Sequence, residues 1–188
     1  EKLYDDLDKM KNNYNNFSIS EFACGASKLL GSINPIFYQG IDLREDLIEE
    51  SKKKYQKENY DFLLGNMIDF RSEKKTTLGL CIQTFGINID FDDKILMKCL
   101  NNLNDHILDN GSIIFNLSNE LYLKNKKEID NFCYNNYSDV KNINYGIFNN
   151  RYYYQFTRVL KVLEKFFSLK LKYKKYVYIK CMKKKSIE

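Results

Sequence analysis

A turn rich in small residues near the start of the chain begins with one acidic residue and is followed by a second. The turn, E-F-A-C-G-A-S from Glu21 to Ser27, follows a short apolar run, and Asp42 ends a second run 17 residues after Gly25. An acidic side chain about 20 positions beyond such a turn can hold a ribose, because one carboxylate accepts hydrogen bonds from two hydroxyl groups. The spacing therefore predicts a site for a cofactor that carries a nucleoside.

The glycine content of this turn narrows the class of cofactor. A dinucleotide pyrophosphate needs three glycines, so that backbone amides can approach it at the start of a helix. Only Gly25 is present, and Ala23 and Ser27 occupy the alternate positions on either side of it. The turn is therefore unfavourable for NAD or FAD. A nucleoside cofactor without phosphate, such as S-adenosylmethionine, requires only a sharp turn and close approach.

Few other residues could carry chemistry. The five cysteines are odd in number and form no C-x-x-C pair. We therefore expect buried, reduced thiols, with Cys24 as a packing residue, and no disulfide framework or zinc site. His106 is the only histidine, and we expect it to be structural, at the end of a helix. Neither a bound metal nor a Ser-His-Asp triad is predicted.

Apolar runs of strand length alternate with helical periodicity over the first 117 residues. Five strands are predicted, at residues 17–23, 37–43, 62–64, 78–84 and 112–117. Three helices are predicted between them, at residues 26–31, 45–57 and 92–108, the last ending at an Asn-Gly turn. This alternation is typical of a parallel sheet covered by helices on both faces. Ligands of such sheets bind at the carboxyl ends of the strands, where the turn and Asp42 lie.

The pattern changes after the fifth strand. Helices are predicted at 119–137 and 152–167, and strands with alternating polarity at 168–173 and 175–182. The two strands leave no room for a crossover helix, so they are predicted to form an antiparallel hairpin. The absence of a Pro/Gly/Ser linker indicates one domain over residues 1–188, with a helical insertion at about 119–156.

The net charge is unevenly distributed. Residues 158–188 contain 11 Lys and Arg against two Glu, whereas residues 1–157 carry a net charge of −4. A basic tail could bind RNA, but lysines on an edge hairpin also discourage strand pairing, and we favour the second interpretation. No apolar run approaches the ~18–20 residues of a membrane span. With the reduced thiols, this leads us to expect a cytoplasmic protein without membrane attachment.

The sequence resembles the class I S-adenosylmethionine-dependent methyltransferases, in particular their small-molecule members. The matching motifs span most of the chain and read E-F-A-C-G-A-S, G-I-D-L, F-L-L-G-N-M, T-F-G-I-N and L-N-D-H-I-L-D-N-G-S-I-I-F-N-L. Ala23 and Ser27 depart from the family pattern by replacing glycines, and Asn66 by replacing Asp. The resemblance implies a Rossmann-like three-layer α/β sandwich. Its seven-stranded, mostly parallel sheet has the order 3-2-1-4-5-7-6 and a C-terminal antiparallel hairpin.

The resemblance also implies S-adenosylmethionine as the cofactor. Glu21 would orient the turn and reach the methionyl end, while Ala23 and Gly25 would offer backbone groups to the methionyl and ribose groups. Asp42 would accept the ribose hydroxyls, and Leu43 would pack beside the adenine.

The remaining implied roles concern the adenine, the methyl group and the acceptor. Asn66 would bond the adenine amino group, Met67 would offer its backbone amide to the ring, and Gln83 would lie beneath the transferable methyl. The residues expected to bind the acceptor are Asn88, Asn116, Asn119 and Arg151.

Methyl transfer from a sulfonium is an in-line displacement, in which alignment supplies most of the rate. A hydroxyl acceptor must also lose a proton, and Glu120, Asp90 and Tyr145 are the candidate bases. A free amine or an anionic acceptor needs no base, and we slightly favour such an acceptor.

Three functions remain open at this stage. The leading hypothesis is methylation of O or N on a small molecule, such as an anionic sugar- or nucleotide-linked metabolite. RNA methylation is the second, although Q-T-F-G lacks the D/N-P-P-Y/F motif of enzymes that methylate base amines. A non-catalytic cofactor-binding module is the third, and the presence of Asp42 argues against it.

Overall fold

The computed structural model describes residues 2–85, 92–146 and 175–182. Seven strands in these ranges form one sheet: β1 (Ser18–Phe22), β2 (Phe37–Asp42), β3 (Tyr60–Leu64), β4 (Thr76–Phe85), β5 (Ile107–Ser118), β6 (Asp139–Gly146) and β7 (Lys175–Met182). Their order is β3-β2-β1-β4-β5-β7-β6. The first five strands are parallel, and β7 is antiparallel to both of its neighbours. The predicted fold class and strand order are confirmed.

Helices cover both faces of the sheet. On one face lie α1 (Lys2–Asn13), a short 3-10 turn (Lys28–Gly31) and α2 (Glu45–Lys54), packed on a core that includes Ile19 and Tyr38. On the other face lie α3 (Asp93–Asp105), α4 (Asn119–Lys124) and α5 (Lys126–Asn136), packed on a core that includes Phe115. Together with the sheet they form the three expected layers. No helix among the described residues is both long and apolar enough to cross a membrane.

The helix α3 and the strand β5 meet earlier than predicted. The helix begins at Asp93 and is capped by Asp92, whose side chain accepts a hydrogen bond from the backbone N–H of Lys94 at 3.1 Å. It ends at Asp105, because Ile107 already pairs with Thr76 of β4. The predicted turn at residues 110–111 is therefore wrong, and Gly111 lies within β5. A Cβ at Gly111 would lie 2.9 Å from the carbonyl oxygen of Thr77, so a larger residue would not fit beside β4.

The helix α1 was not predicted. It buries Leu7 and Met10 against the sheet. Its Asp6 accepts hydrogen bonds from Tyr178 at 3.1 Å and from Lys180 at 3.3 Å, both on β7. These contacts join the first helix of the chain to the last described strand.

The region after β5 differs most from the prediction. The expected helix at 119–137 is two helices separated by Asn125, whose side chain donates to the carbonyl oxygen of Leu121. Residues 139–146, expected within a helical insertion, form β6. Both edges of β7 are paired, to β5 and to β6. The predicted strand at 168–173 and the predicted helix at 152–167 lie outside the described residues.

Candidate active site

The turn after β1 has an unusual backbone conformation. Ala23, Gly25 and Ser27 all have positive φ, of 55°, 55° and 48°. This left-handed region favours glycine and costs an L-residue roughly 1–2 kcal/mol. A Cβ at Gly25 would meet only Leu47, at 3.9 Å, so the outer side of the turn is open. The turn thus adopts the conformation of a three-glycine loop, although it contains one glycine.

The carboxylate of Asp42 joins this turn to the end of β2. One oxygen accepts a hydrogen bond from the backbone N–H of Gly25 at 2.8 Å, and the other accepts from that of Arg44 at 2.9 Å. The backbone N–H of Cys24 donates to the carbonyl oxygen of Ile41 at 3.1 Å. Each carboxylate oxygen keeps a further lone pair, so Asp42 can still accept hydrogen bonds from a ligand.

Buried hydroxyl groups form hydrogen bonds with residues of the turn. The Tyr38 hydroxyl donates to Oε2 of Glu21 at 2.5 Å and is hydrogen-bonded to Oγ of Ser27 at 3.1 Å. Ser51 of α2 lies 3.3 Å from the Ser27 hydroxyl and 3.4 Å from the carbonyl oxygen of Gly25. A buried polar network therefore connects β1, β2 and α2 beneath the turn.

Two titratable groups in the turn have shifted pKa values. Burial raises the pKa of Glu21 from 4.5 to about 7; the hydrogen bond from Tyr38 lowers it, and the charge of Asp42 raises it further. Burial also raises the pKa of Cys24 to about 12. A protonated, buried thiol is a poor nucleophile, in agreement with the expected packing role of Cys24.

The end of β3 lies beside Asp42. The backbone N–H of Gly65 donates to the Asp42 carbonyl oxygen at 2.9 Å. The side-chain oxygen of Asn66, predicted to bond the adenine, accepts the backbone N–H of Ile68 at 3.0 Å and keeps one lone pair. Met67 is buried, and its carbonyl oxygen accepts from Nδ2 of Asn102 at 3.0 Å.

Two apolar side chains are exposed at the same edge of the sheet. Leu43 is 62% exposed and Leu64 is 57% exposed, and Leu64 pairs in register with Asp42. Large apolar groups in contact with water next to a polar cluster are typical of a ligand-binding surface. The packing of Leu43 against a planar base stays a prediction.

The predicted acceptor residues of β5 and α4 follow one another along the chain. Asn116 is buried in β5, on the same face of the sheet as Tyr178. Asn119 and Glu120 form the first turn of α4, and Glu120 is exposed. Tyr145 pairs in register with Tyr176, which pairs with Ser118, so its backbone lies at the carboxyl end of the sheet.

Several predicted residues cannot be placed. Asn88, Asp90 and Arg151 lie outside the described residues. Gln83 lies in β4 near its carboxyl end, but the described side chains do not include those of Gln83 and Tyr145. The roles assigned to these five residues stay predictions.

Sequence reasoning missed three residues that organise the site: Tyr38, Ser51 and Asn102. Tyr38 and Asn102 gave no signal, because the chain contains 15 Tyr and many Asn. Ser51 lies three residues after Ile48, on the buried face of α2. A serine on the apolar face of a helix was a usable signal of a buried hydrogen bond.

Several solved structures share this architecture over nearly the whole chain. The N-methyltransferase NodS from Bradyrhizobium japonicum, solved with S-adenosylhomocysteine, is 8% identical, with a TM-score of 0.67 over 98% of this chain and 87% of its own. An rRNA methylase from Streptococcus thermophilus is 9% identical, with a TM-score of 0.60 over 98% of each chain. An S-adenosylmethionine-dependent methyltransferase from Clostridium acetobutylicum is 13% identical, with a TM-score of 0.58 over 96% and 90%.

Sequence comparisons add nothing to these structural ones. No family model matches the chain, and no curated protein matches it in sequence. Identities this low establish the fold and not the activity. By its strand order, its three layers and these structural relatives, the chain has the fold of the class I S-adenosylmethionine-dependent methyltransferases.

Proposed function

We propose that the protein binds S-adenosylmethionine and transfers its methyl group to a small molecule. The observation that carries this proposal is the run of three left-handed residues, Ala23, Gly25 and Ser27, tied through Gly25 to Asp42. Strained backbone conformations persist where the surrounding structure enforces them, and they cluster at ligand sites. NodS, which has the same fold, was solved with S-adenosylhomocysteine bound, which supports the choice of cofactor.

The residues at this edge of the sheet fit such a cofactor. The open side of Gly25 leaves room for close approach, since only Leu47 lies within 4 Å of a Cβ placed there. The free lone pairs of Asp42 can accept two ribose hydroxyls. Leu43 and Leu64 offer an exposed apolar surface to the adenine, and Glu21 would face the cationic methionyl end.

The chain's contribution to the reaction is binding and alignment. S-adenosylmethionine supplies a methyl group on a positively charged sulfur. Asp42 and the turn would hold the ribose and the methionyl group in one orientation. Alignment alone accounts for much of the rate of such a displacement. A hydroxyl acceptor would need a base. Of the candidate bases, Glu120 at the start of α4 is the one whose side chain the structure describes, and it is exposed.

Thermal unfolding tests the cofactor assignment. S-adenosylhomocysteine at about 100 times its Kd should stabilise the protein by about 2.7 kcal/mol. For a domain of this size that is a Tm increase of roughly 5–10 °C. NADH and FAD should give no increase. A Tm increase with either dinucleotide, and none with S-adenosylhomocysteine, would contradict the proposal.

Calorimetry on a substituted protein then tests the site itself. Asp42→Asn should weaken binding of S-adenosylhomocysteine about tenfold or more, because it removes a charge-assisted acceptor. The matched control is Asp109→Asn, which changes an exposed carboxylate near the amino-terminal end of β5, away from the candidate site. Equal affinity in the two variants would place the ribose elsewhere.

Methylation of RNA is the second candidate function. The rRNA methylase from Streptococcus thermophilus is covered over 98% of its own length, and residues 158–188 carry a net charge of +9. Lys180, one of these basic residues, is paired with Asp6 and only 12% exposed, so it is unavailable to a phosphate. The salt dependence of RNA binding separates the two functions, since each Lys–phosphate contact adds to its slope. We favour the small molecule and expect weak binding of RNA.

A further inference from the structure

Tyr38 occupies a position that the proposed function does not explain. It is the second residue of β2, is completely buried, and faces the layer formed by α1 and α2. Strand register pairs Tyr38 with Ile19 and Gly40 with Glu21. The Tyr38 side chain must therefore extend along the sheet, past Gly40, to reach the carboxylate of Glu21.

Gly40 provides the space for this extension. A Cβ at position 40 would lie 2.8 Å from Cε1 of Tyr38 and 3.0 Å from its hydroxyl oxygen. Real side chains do not tolerate contacts this short, so the phenol can reach Glu21 only because position 40 has no side chain. The ring is fixed on its other sides by Tyr60 and Phe62, with centroids 5.8 and 5.7 Å away.

The hydroxyl of Tyr38 bridges the carboxylate and the turn. It donates to Oε2 of Glu21 at 2.5 Å and is bonded to Ser27, one of the left-handed residues, at 3.1 Å. A short bond to an ionised acceptor is among the strong hydrogen bonds of a protein. It favours the charged form of Glu21.

Every titratable group that acts on Glu21 within the described residues can be named. Asp42 on β2 opposes its ionisation. Cys24 in the turn and Cys81 on β4 have pKa values raised by burial, so both thiols remain neutral. The pKa of Tyr38 is raised well above its usual value of 10, so its hydroxyl remains a donor. Tyr38 is thus the group in this set that favours the carboxylate.

The geometry points to Tyr38 as a positioning residue, which holds the Glu21 carboxylate ionised beneath the turn so that it attracts the cationic end of S-adenosylmethionine. The inference rests on the proposed function. When the cofactor binds, its positive charge favours ionised Glu21, and any proton that Glu21 carries passes to the solvent. Cofactor affinity is therefore linked to pH through a pair of residues on neighbouring strands.

The sign of the pH dependence follows from the raised pKa of Glu21. Below about pH 7 the buried carboxyl becomes protonated, so affinity for S-adenosylhomocysteine, which keeps the cationic amino group, should fall as the pH falls. Tyr38→Phe removes the hydrogen bond to the charged form, so the midpoint should move up by about one pH unit. Affinity should then be about fivefold lower than in the wild type at pH 7 and nearly equal at pH 9.

Calorimetric titration with S-adenosylhomocysteine from pH 6 to pH 9 tests this inference. Tyr60→Phe is the matched control, because it removes a hydroxyl from the same aromatic cluster that bonds Asn34 and not Glu21. Its profile should match that of the wild type. Glu21→Gln should bind weakly with little dependence on pH. A Tyr38→Phe profile that is lowered equally at every pH, or not at all, overturns the inference.

A second measurement separates this inference from the cofactor assignment. The Glu21 carboxyl can be titrated by carbon NMR in the ligand-free protein, with Glu21→Gln identifying the resonance. Its midpoint should lie near pH 7 and should be higher in Tyr38→Phe. An unchanged midpoint overturns the role of Tyr38 whether or not the cofactor binds. If wild-type protein binds no S-adenosylhomocysteine at any pH, the proposed function fails and the inference with it.

Discussion

Ala23 and Ser27 show how individual residues can preserve a loop that glycine usually builds. Each holds a left-handed conformation that costs an L-residue roughly 1–2 kcal/mol. The two residues are stabilised differently. Ser27 is fully buried and its hydroxyl joins the network with Tyr38 and Ser51, whereas the methyl group of Ala23 forms no hydrogen bond. The strain at Ser27 is therefore offset by its side chain, and that at Ala23 only by packing.

This difference gives a prediction for glycine substitutions. Ala23→Gly should raise the free energy of unfolding by about 0.5–1 kcal/mol, because relief of the strain exceeds the added entropy of the unfolded chain. Urea unfolding with an unchanged m-value measures the effect. Ser27→Gly should not stabilise, since it removes two hydrogen-bond partners.

Ala26 provides the control for this prediction. It lies in the same turn without a positive φ, so Ala26→Gly should lower the free energy of unfolding through entropy alone. If Ala23→Gly and Ala26→Gly lowered stability by the same amount, the left-handed conformation at position 23 would be wrong.

At the scale of elements, the helical caps differ in quality. The helices α3 and α4 begin with capping side chains, Asp92 and Ser118, that accept backbone N–H groups at 3.1 and 3.2 Å. The helix α2 begins after Arg44, which forms no side-chain cap. Glu45 and Asp46 in its first turn offset this in part, because they interact favourably with the positive end of the helix.

Substitutions at the caps should have opposite effects. Asp92→Ala should lower the free energy of unfolding by about 1 kcal/mol, since it leaves an N–H group without its acceptor. Arg44→Ser should raise stability, because serine supplies the missing acceptor and the exposed ion pair with Asp46 contributes little. Thermal unfolding of the two variants checks both signs. A loss of stability in Arg44→Ser would show that the Arg44 side chain has a role beyond the exposed ion pair.

The elements also show which parts of the fold were accessible from sequence. Strands β1 to β5 could be predicted because short runs rich in apolar residues alternate with helical periodicity along this part of the chain. The edge strand β6 contains three Asn or Asp residues, and such residues are depleted in strands. The helix α1 did carry a signal, because Leu3, Leu7 and Met10 recur at helical spacing.

The candidate site also contains residues that could be predicted from the sequence and residues that could not. Glu21, Gly25 and Asp42 could be placed from sequence because their spacing reflects the path of the chain from β1 to β2. The roles of Tyr38 and Asn102 could not, because they depend on contacts between strands or between a helix and a loop. No local pattern encodes a phenol that passes over a glycine to reach the neighbouring strand.

At the scale of the whole molecule, the five cysteines are distributed through both cores. All five are free and buried, on β4, α3, α5, β7 and the turn after β1. Burial raises the pKa of Cys24 and of Cys99 to about 12. Both access and ionisation therefore oppose reaction of these thiols in the native state.

Thiol labelling should therefore report global unfolding. In native protein at pH 8, fewer than about one thiol per chain should react promptly with an aromatic disulfide reagent, whereas five should react in denaturant. The rate of labelling in the native state should follow the population of the open form. Rapid reaction of two or more thiols without denaturant would contradict the burial of these residues.

The position of β7 has a consequence for how the protein is made. In the sheet β7 lies between β5 and β6, yet it is the last of the described strands to leave the ribosome. Domains fold from the N-terminus at about 5–20 residues per second of synthesis. For the seconds needed to make residues 147–182, β5 would present an unpaired edge and β6 would lack its partner. Nascent chains stalled in this interval should be the form most prone to aggregate and to bind chaperones.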